Sequence, residues 1–250
     1  MNRLEGKNIV ITGGNSGIGR AAVDALVEQG AQVLVAGRDA ASLEAVAEAH
    51  PGRVHSIVAD VSKIADLDQL ASEANSLFGG RVDALLVNAG VAKPAELSQT
   101  SEAFFDLHFD VNVKGALFTV QKFLPQLASG SSVVFTSSAL EETGAPGMAV
   151  YAATKAAVRN FARSLAAELA PQGVRVNSIA PGPIETPIYD RMGLPQEAQA
   201  GFAEEVGGKV PLGRFGRPDE IAPILVYLAS DESSYVTGSS FKIDGGFAAV

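Results

Sequence analysis

The chain has 250 residues, a length routinely reached by a single α/β unit, and its 47% hydrophobic and 19% charged residues suit a globular core rather than a disordered or fibrous chain. It contains no cysteine, which excludes disulfides, thiolate nucleophiles and cysteine metal sites and makes the cytoplasm the expected compartment. A net charge of −9 disfavours nucleic acid and anionic membranes as partners, so an anionic ligand must be held by backbone N–H groups and individual arginines.

Met1 to Lys7 carry no long apolar stretch, so neither export nor membrane spanning is expected, and the chain runs straight into a first strand at Lys7 to Thr12. Continuous apolar, β-branched runs follow at Gln32 to Ala36, Val54 to Val58, Ala84 to Val87, Ser132 to Thr136, Val174 to Ile179 and Phe241 to Ile243, with helical stretches between them. Continuous rather than alternating runs mean strands covered on both faces, which predicts one Rossmann-like, doubly wound parallel sheet of about seven strands in a single domain spanning 1–250. His50, His55 and His108 are scattered without ligand spacing; they read as loop, strand-edge or helix-surface residues, and no metal is expected.

After the first strand comes Thr12-Gly13-Gly14-Asn15-Ser16-Gly17-Ile18-Gly19, and a helical pattern starts at Arg20. Glycines allow close backbone approach, while a helix amino terminus offers unpaired N–H groups and a favourable dipole to a pyrophosphate. The spacing is G-x-x-x-G-x-G rather than G-x-G-x-x-G, so taken alone it supports nucleotide binding only approximately. Further on, Glu141 and Glu142 lie in a Gly- and Pro-containing loop and are expected to point to solvent, while Leu140, Pro183, Ile188 and Met192 suggest an apolar substrate pocket. The irregular segment 183–212 follows the sixth strand and reads as a substrate lid that includes Phe202 and Val206.

The glycine turn after the first strand resembles the fingerprint of the classical short-chain dehydrogenases/reductases. The similarity continues through Asp60-Val61, Asn88-Ala89-Gly90, Asn112, Ser138, Tyr151-x-x-x-Lys155 and Pro181-Gly182-Pro183-Ile184-Glu185-Thr186, in order along essentially the whole chain. The resemblance implies a catalytic set of Ser138, Tyr151 and Lys155, with Asn112 holding a water that relays protons to Lys155. It implies cofactor contacts from Gly13, Asn15, Ser16, Gly17, Ile18, Gly19, Arg38, Asp60, Val61, Asn88, Ala89, Gly90, Tyr151, Lys155, Pro181, Gly182, Ile184 and Thr186. Asp60 and Val61 would border the adenine, and Ile184 and Thr186 would meet the nicotinamide carboxamide.

NAD enzymes of this family usually carry an acid where Gly37 stands; its absence, with Arg38 next in line, favours NADP(H), because a guanidinium suits forked hydrogen bonds to a 2′-phosphate. Ser16 stands where many NADP-preferring relatives have a second basic residue, and Asp39 reads as the cap of the following helix.

Tyr151 and Lys155 share one face of a helix predicted from Val150 to Ala170, and a neighbouring ammonium is expected to lower the phenol pKa. Apolar residues on more than one side of that helix, and the tail Gly245 to Val250, predict a symmetric homo-oligomer, for which the resemblance suggests a tetramer. The expected activity is ketone reduction with NADPH. The alternatives are a 3-oxoacyl-acyl-carrier-protein reductase, an NAD-dependent sugar or polyol dehydrogenase, and a catalytically idle dinucleotide sensor; the last is disfavoured by retention of the full catalytic set.

Overall fold

The computed structural model describes residues 2–189, 192, 201 and 205–249. Its seven strands are β1 (Asn8–Thr12), β2 (Gln32–Gly37), β3 (Val54–Val58), β4 (Val82–Val87), β5 (Leu127–Thr136), β6 (Arg175–Pro181) and β7 (Ser240–Ile243). They form one sheet in the order β3-β2-β1-β4-β5-β6-β7, and every pairing is parallel. The helices are α1 (Gly17–Glu28), α2 (Ala40–Ala49), α3 (Ile64–Phe78), α4 (Glu102–Phe109), α5 (Ala116–Phe123), α6 (Ala149–Leu169) and α7 (Pro218–Ala229).

Both faces of the sheet are covered, which is why its strands read as unbroken apolar runs. Ile9, Ile11, Val33, Val35 and Leu86 pack with Val23 and Leu26 of α1, Leu43 of α2 and Leu225 of α7. The alternate residues Val10, Leu34, Leu85, Val87 and Phe135 pack on the other side with Leu70 of α3, Phe123 of α5 and Val158 of α6. Strand order reverses between β1 and β4, so the helices leave in opposite directions there and open a crevice at the carboxyl ends of the strands.

Three local features bear on that crevice. Asp39 caps α2, accepting the Ser42 N–H at 2.8 Å as the sequence predicts. Between α4 and α5 the chain makes a π-helical turn over Asp110–Gly115, which places Asn112 beside the loop after β4. Beyond β6 a two-residue bridge, Ile184 to Gly216, joins the arms of the irregular excursion; Glu185 N–H donates to Gly216 O and Gly216 N–H to Pro183 O, each at 2.9 Å. Much of the predicted lid, Phe202 included, lies outside the described residues. The tail folds over Asp244, whose carboxylate accepts the Gly246 and Ala248 N–H groups at 2.9 Å.

Candidate functional site

The crevice is a cleft of about 490 Å³, and its walls come from the turns after β1 to β6. At its base the glycine turn is clamped. Thr12 Oγ1 accepts the Asn88 and Ala89 N–H groups at 3.1 Å, and Asn88 Nδ2 donates to Thr12 O at 3.2 Å and Gly13 O at 3.1 Å. Thr136 Oγ1 donates in turn to Asn88 Oδ1 at 3.1 Å, so one asparagine ties the ends of β1, β4 and β5 together.

Gly13 and Gly17 hold positive φ values of 68° and 53°, which a side chain would strain. A Cβ on Gly19 would run into Gly13 O and lie 2.7 Å from Asn88 Nδ2, so α1 reaches the clamp only because position 19 is glycine. Ser16, the residue before α1, is extended and makes no side-chain cap bond. The first-turn N–H groups therefore face the cleft without a capping oxygen, the arrangement that receives a phosphate.

At the far end of the cleft, a Cβ on Gly37 would lie 2.6 Å from Asn15 Oδ1. Asn15, donating to Ser42 Oγ at 2.8 Å, thus occupies the space that a ribose-binding acid at position 37 would need. Arg38 is exposed, lines the cleft and forms no ion pair among the described residues. Burial works against the charge on Asp60, but bonds from Ser62 Oγ at 2.7 Å and Ser62 N–H at 3.0 Å, with the nearby Arg38 charge, hold its carboxyl below the usual range.

At the opposite end stand Ser138, Tyr151 and Lys155, all lining the cleft. Ser138 caps the 3-10 turn Ala139–Glu141, accepting Leu140 N–H at 3.2 Å, and acts on the Tyr151 phenol, favouring its charged form. The local capping role and the one facing the cleft therefore coexist.

Lys155 is 5% exposed and donates to Thr136 O at 2.8 Å, and its Nζ stands 5.6 Å from the Tyr151 ring centroid. Burial lowers its pKa to about 8, and the Glu141 carboxylate opposes that fall. The expected lowering of the tyrosine does not occur in the free protein. Burial pushes Tyr151 above its ordinary value, the Ser138 bond works the other way, and the ammonium is turned to a backbone carbonyl rather than to the phenol oxygen.

The Asn112 side chain is taken up by protein groups, with Oδ1 accepting Val91 N–H at 2.8 Å and Nδ2 donating to Val91 O at 2.9 Å and Thr154 Oγ1 at 3.0 Å. It anchors the loop after β4 to the helix that carries Tyr151. The Gly182 and Ile184 side positions lie away from the cleft. A Cβ on Gly182 would meet Asp244, and the Ile184 side chain is buried in the core beside a smaller cavity of about 100 Å³ that Pro183 also lines. Burial pushes the Tyr189 phenol up to about 12, and the Ile184 backbone works against that rise. Pro181, Thr186 and Ile188 do line the cleft.

Glu141 does not point to solvent, whereas Glu142 is exposed as expected, though ion-paired. Glu141 is buried and accepts Ser240 Oγ at 2.7 Å, and Glu142 pairs with Arg159 and with Lys242, the latter at 2.6 Å. His108 is fully buried rather than on a helix surface, accepting Lys93 N–H through Nε2 at 3.2 Å and bonded through Nδ1 to Phe104 O at 2.9 Å. Sequence reasoning assigned no site role to Thr12, Asn15's screening of position 37, Thr136, Thr154 or Glu141; only Thr12, inside the glycine motif, carried a signal.

The family model described as enoyl-(acyl carrier protein) reductase matches residues 13–248. A 3-oxoacyl-(acyl-carrier-protein) reductase of Thermotoga maritima is 39% identical over 251 residues, covering 98% of both chains. A 2,5-dichloro-2,5-cyclohexadiene-1,4-diol dehydrogenase of Sphingobium indicum is 36% identical over the full length of both. Among solved structures, levodione reductase superposes with a TM-score of 0.94 at 34% identity, covering 99% of this chain and all of that one. A short-chain dehydrogenase/reductase of Serratia marcescens gives 0.90 at 33% identity with the same coverage. With this strand order, this clamped glycine turn and full-length likeness to such enzymes, the chain belongs to the short-chain dehydrogenases/reductases, oxidoreductases that use a nicotinamide dinucleotide.

Proposed function

We propose that the protein is an NADP(H)-dependent carbonyl reductase that converts a ketone to a secondary alcohol, with Ser138, Tyr151 and Lys155 as its catalytic set. The observation that carries the reading is the layout of the cleft: the exposed Arg38 guanidinium at one end, uncapped helix N–H groups in the middle, and a Ser–Tyr–Lys cluster at the other. These residues fit a dinucleotide. The α1 terminus and glycine turn would hold the pyrophosphate, Asp60 and Val61 the adenine side, Arg38 the 2′-phosphate, and Lys155 a ribose. Bound there, the nicotinamide supplies or accepts the hydride.

The chain itself supplies the proton. A phenol kept neutral by burial is a donor ready for the oxygen of a carbonyl as negative charge develops on it. Ser138, beside that phenol on the cleft wall, would donate to the same oxygen, and the Lys155 ammonium, which prevails below about pH 8, stabilises the phenolate left behind. Asn112 and Thr154 act from behind. Thr154 Oγ1 donates to Tyr151 O at 2.6 Å and receives the Asn112 amide, which fixes the helix turn carrying the tyrosine.

Arg38→Ala is the direct test of the cofactor. A lost hydrogen bond to a charged group costs about 1.5–3 kcal/mol, so NADPH affinity should fall about 10- to 100-fold while NADH affinity stays the same. Fluorescence titration of each reduced nucleotide reads both. Equal binding of NADPH by variant and parent would remove the case for NADP(H) and favour an NAD-linked polyol dehydrogenase. The substrate screen should contain cyclic ketones, in view of the cyclohexadiene-diol dehydrogenase relative, and a 3-oxoacyl thioester, in view of the acyl-carrier-protein reductase.

The outer face of α6 carries exposed Ala153, Ala156 and Ala167, and Phe105 and Phe109 stack on the neighbouring α4 with Phe105 43% exposed. Small and aromatic side chains on adjacent helices support a homotetramer in the cytoplasm. Sedimentation should show a species four times the 25.7 kDa chain; a single monomer-sized boundary would overturn the tetramer.

A further inference from the structure

We infer that His108 is a positioning residue of the active site, a buried imidazole that holds segment 91–95 as the wall of the cleft against which the ketone sits. The inference rests on the catalytic reading above and adds a residue to it. Gly90 and Val91 line the cleft, and a Cβ on Gly90 would stand 3.5 Å from Lys155 Nζ. From there the chain runs to Gly147, in the loop between the 3-10 turn that Ser138 caps and the start of α6. Ala95 N–H donates to Gly147 O at 2.9 Å, and a Cβ on Gly147 would lie 3.8 Å from Pro94 Cβ. Segment 91–95 therefore spans the catalytic end of the cleft, from the lysine to the loop that leads into the tyrosine's helix.

Alternate N–H groups of the span are pinned, each by a different element. Asn112 Oδ1 in the π-helical turn accepts Val91 N–H at 2.8 Å, His108 Nε2 on α4 accepts Lys93 N–H at 3.2 Å, and Gly147 O accepts Ala95 N–H. Val91 is held by its side chain as well, which packs with Val61, Leu67 and Val111. At Lys93 the side chain is exposed, and Pro94 after it has no N–H to give. The imidazole is thus the hold on the middle of the span. It is fully buried, its ring centroid lies 4.4 Å from that of Phe104, and Nδ1 meets Phe104 O at 2.9 Å. A carbonyl at Nδ1 and an N–H at Nε2 select one neutral tautomer, with the proton on Nδ1 and the lone pair on Nε2. A buried polar ring is costly unless both nitrogens are bonded. One of them stays within α4; the other reaches out of the helix, and what it holds is the cleft wall.

The test compares parent, H108Q and H108N with the best ketone of the screen. A glutamine amide oxygen can take the place of Nε2 and keep the Lys93 bond, whereas asparagine reaches only as far as Nδ1 and loses it. H108N should raise the ketone KM about 3- to 10-fold, the scale of one hydrogen bond, with kcat and NADPH affinity unchanged; H108Q should keep the parental KM. Hydrogen exchange followed by NMR reads the wall without any substrate: the Lys93 amide should exchange faster in H108N and at the parental rate in H108Q. If H108N does not fold, H108F, which fills the space of the ring without an acceptor, takes its place. A parental KM in H108N, or equal losses in H108N and H108Q, would reduce His108 to a core residue with no part in the site. Full turnover in Tyr151→Phe would instead overturn the catalytic reading and leave the exchange result standing, so the two failures are distinguishable.

Discussion

Tyr151→Phe is expected to lower ketone turnover by about 10²–10⁴-fold, the usual contribution of a positioned general acid, while leaving NADPH affinity unchanged. The phenol oxygen is the only atom removed. The ring keeps its place on α6 because Tyr151 O still accepts Thr154 Oγ1, and Ser138 keeps its bond to Leu140 N–H. A shift in melting temperature is therefore not expected, and a loss of activity cannot be assigned to unfolding. Steady-state NADPH oxidation with the best ketone of the screen, beside a fluorescence titration of NADPH, separates the two quantities. Turnover within a few-fold of the parent would mean that another group delivers the proton.

Gly19→Ala should weaken both the fold and the cofactor site. The new methyl would collide with Gly13 O and sit 2.7 Å from Asn88 Nδ2, and these are the two ends of one clamp. Neither can give way alone, since Asn88 also holds Thr12 O and accepts Thr136 Oγ1. Overpacking of this kind costs about 1–3 kcal/mol. If α1 moves away, the N–H groups it offers leave their place, and losing one bond to a charged group costs a further 1.5–3 kcal/mol or so of binding. Thermal melting and dinucleotide titration check the two effects separately. A variant with parental stability and affinity would show that α1 does not need its close approach to the clamp.

The sheet was legible because its chemistry is local. The central strands β1, β2 and β4 are apolar runs, and covering both of their faces removes the alternation that would mark a half-exposed sheet. The glycine turn, Asp39 as a cap and Tyr151 with Lys155 one turn apart on α6 are also short-range patterns. What stayed hidden depends on partners far along the chain. Glu141, in a loop beside the exposed Glu142, looks solvated until β7 supplies Ser240 and α6 supplies Arg159. His108 reads as a surface residue until the loop after β4 brings the Lys93 N–H to it. The direction of the Tyr151 shift was misjudged for a related reason: spacing on a helix gives proximity to Lys155, but not the burial of both side chains or the carbonyl of Thr136 that claims the ammonium.

The bridge between Ile184 and Gly216 has a consequence for how the enzyme can diversify. It ties residue 184 to residue 216, so the stretch of chain between them has its ends already held together. Changing the length of such an insert alters closure entropy only slowly, by about 0.6 kcal/mol per doubling. The dinucleotide end has no such latitude, because Asn88, Thr12 and Thr136 lock three strand ends to one another. The stretch between the bridged residues can thus change in length on a frame that stays the same.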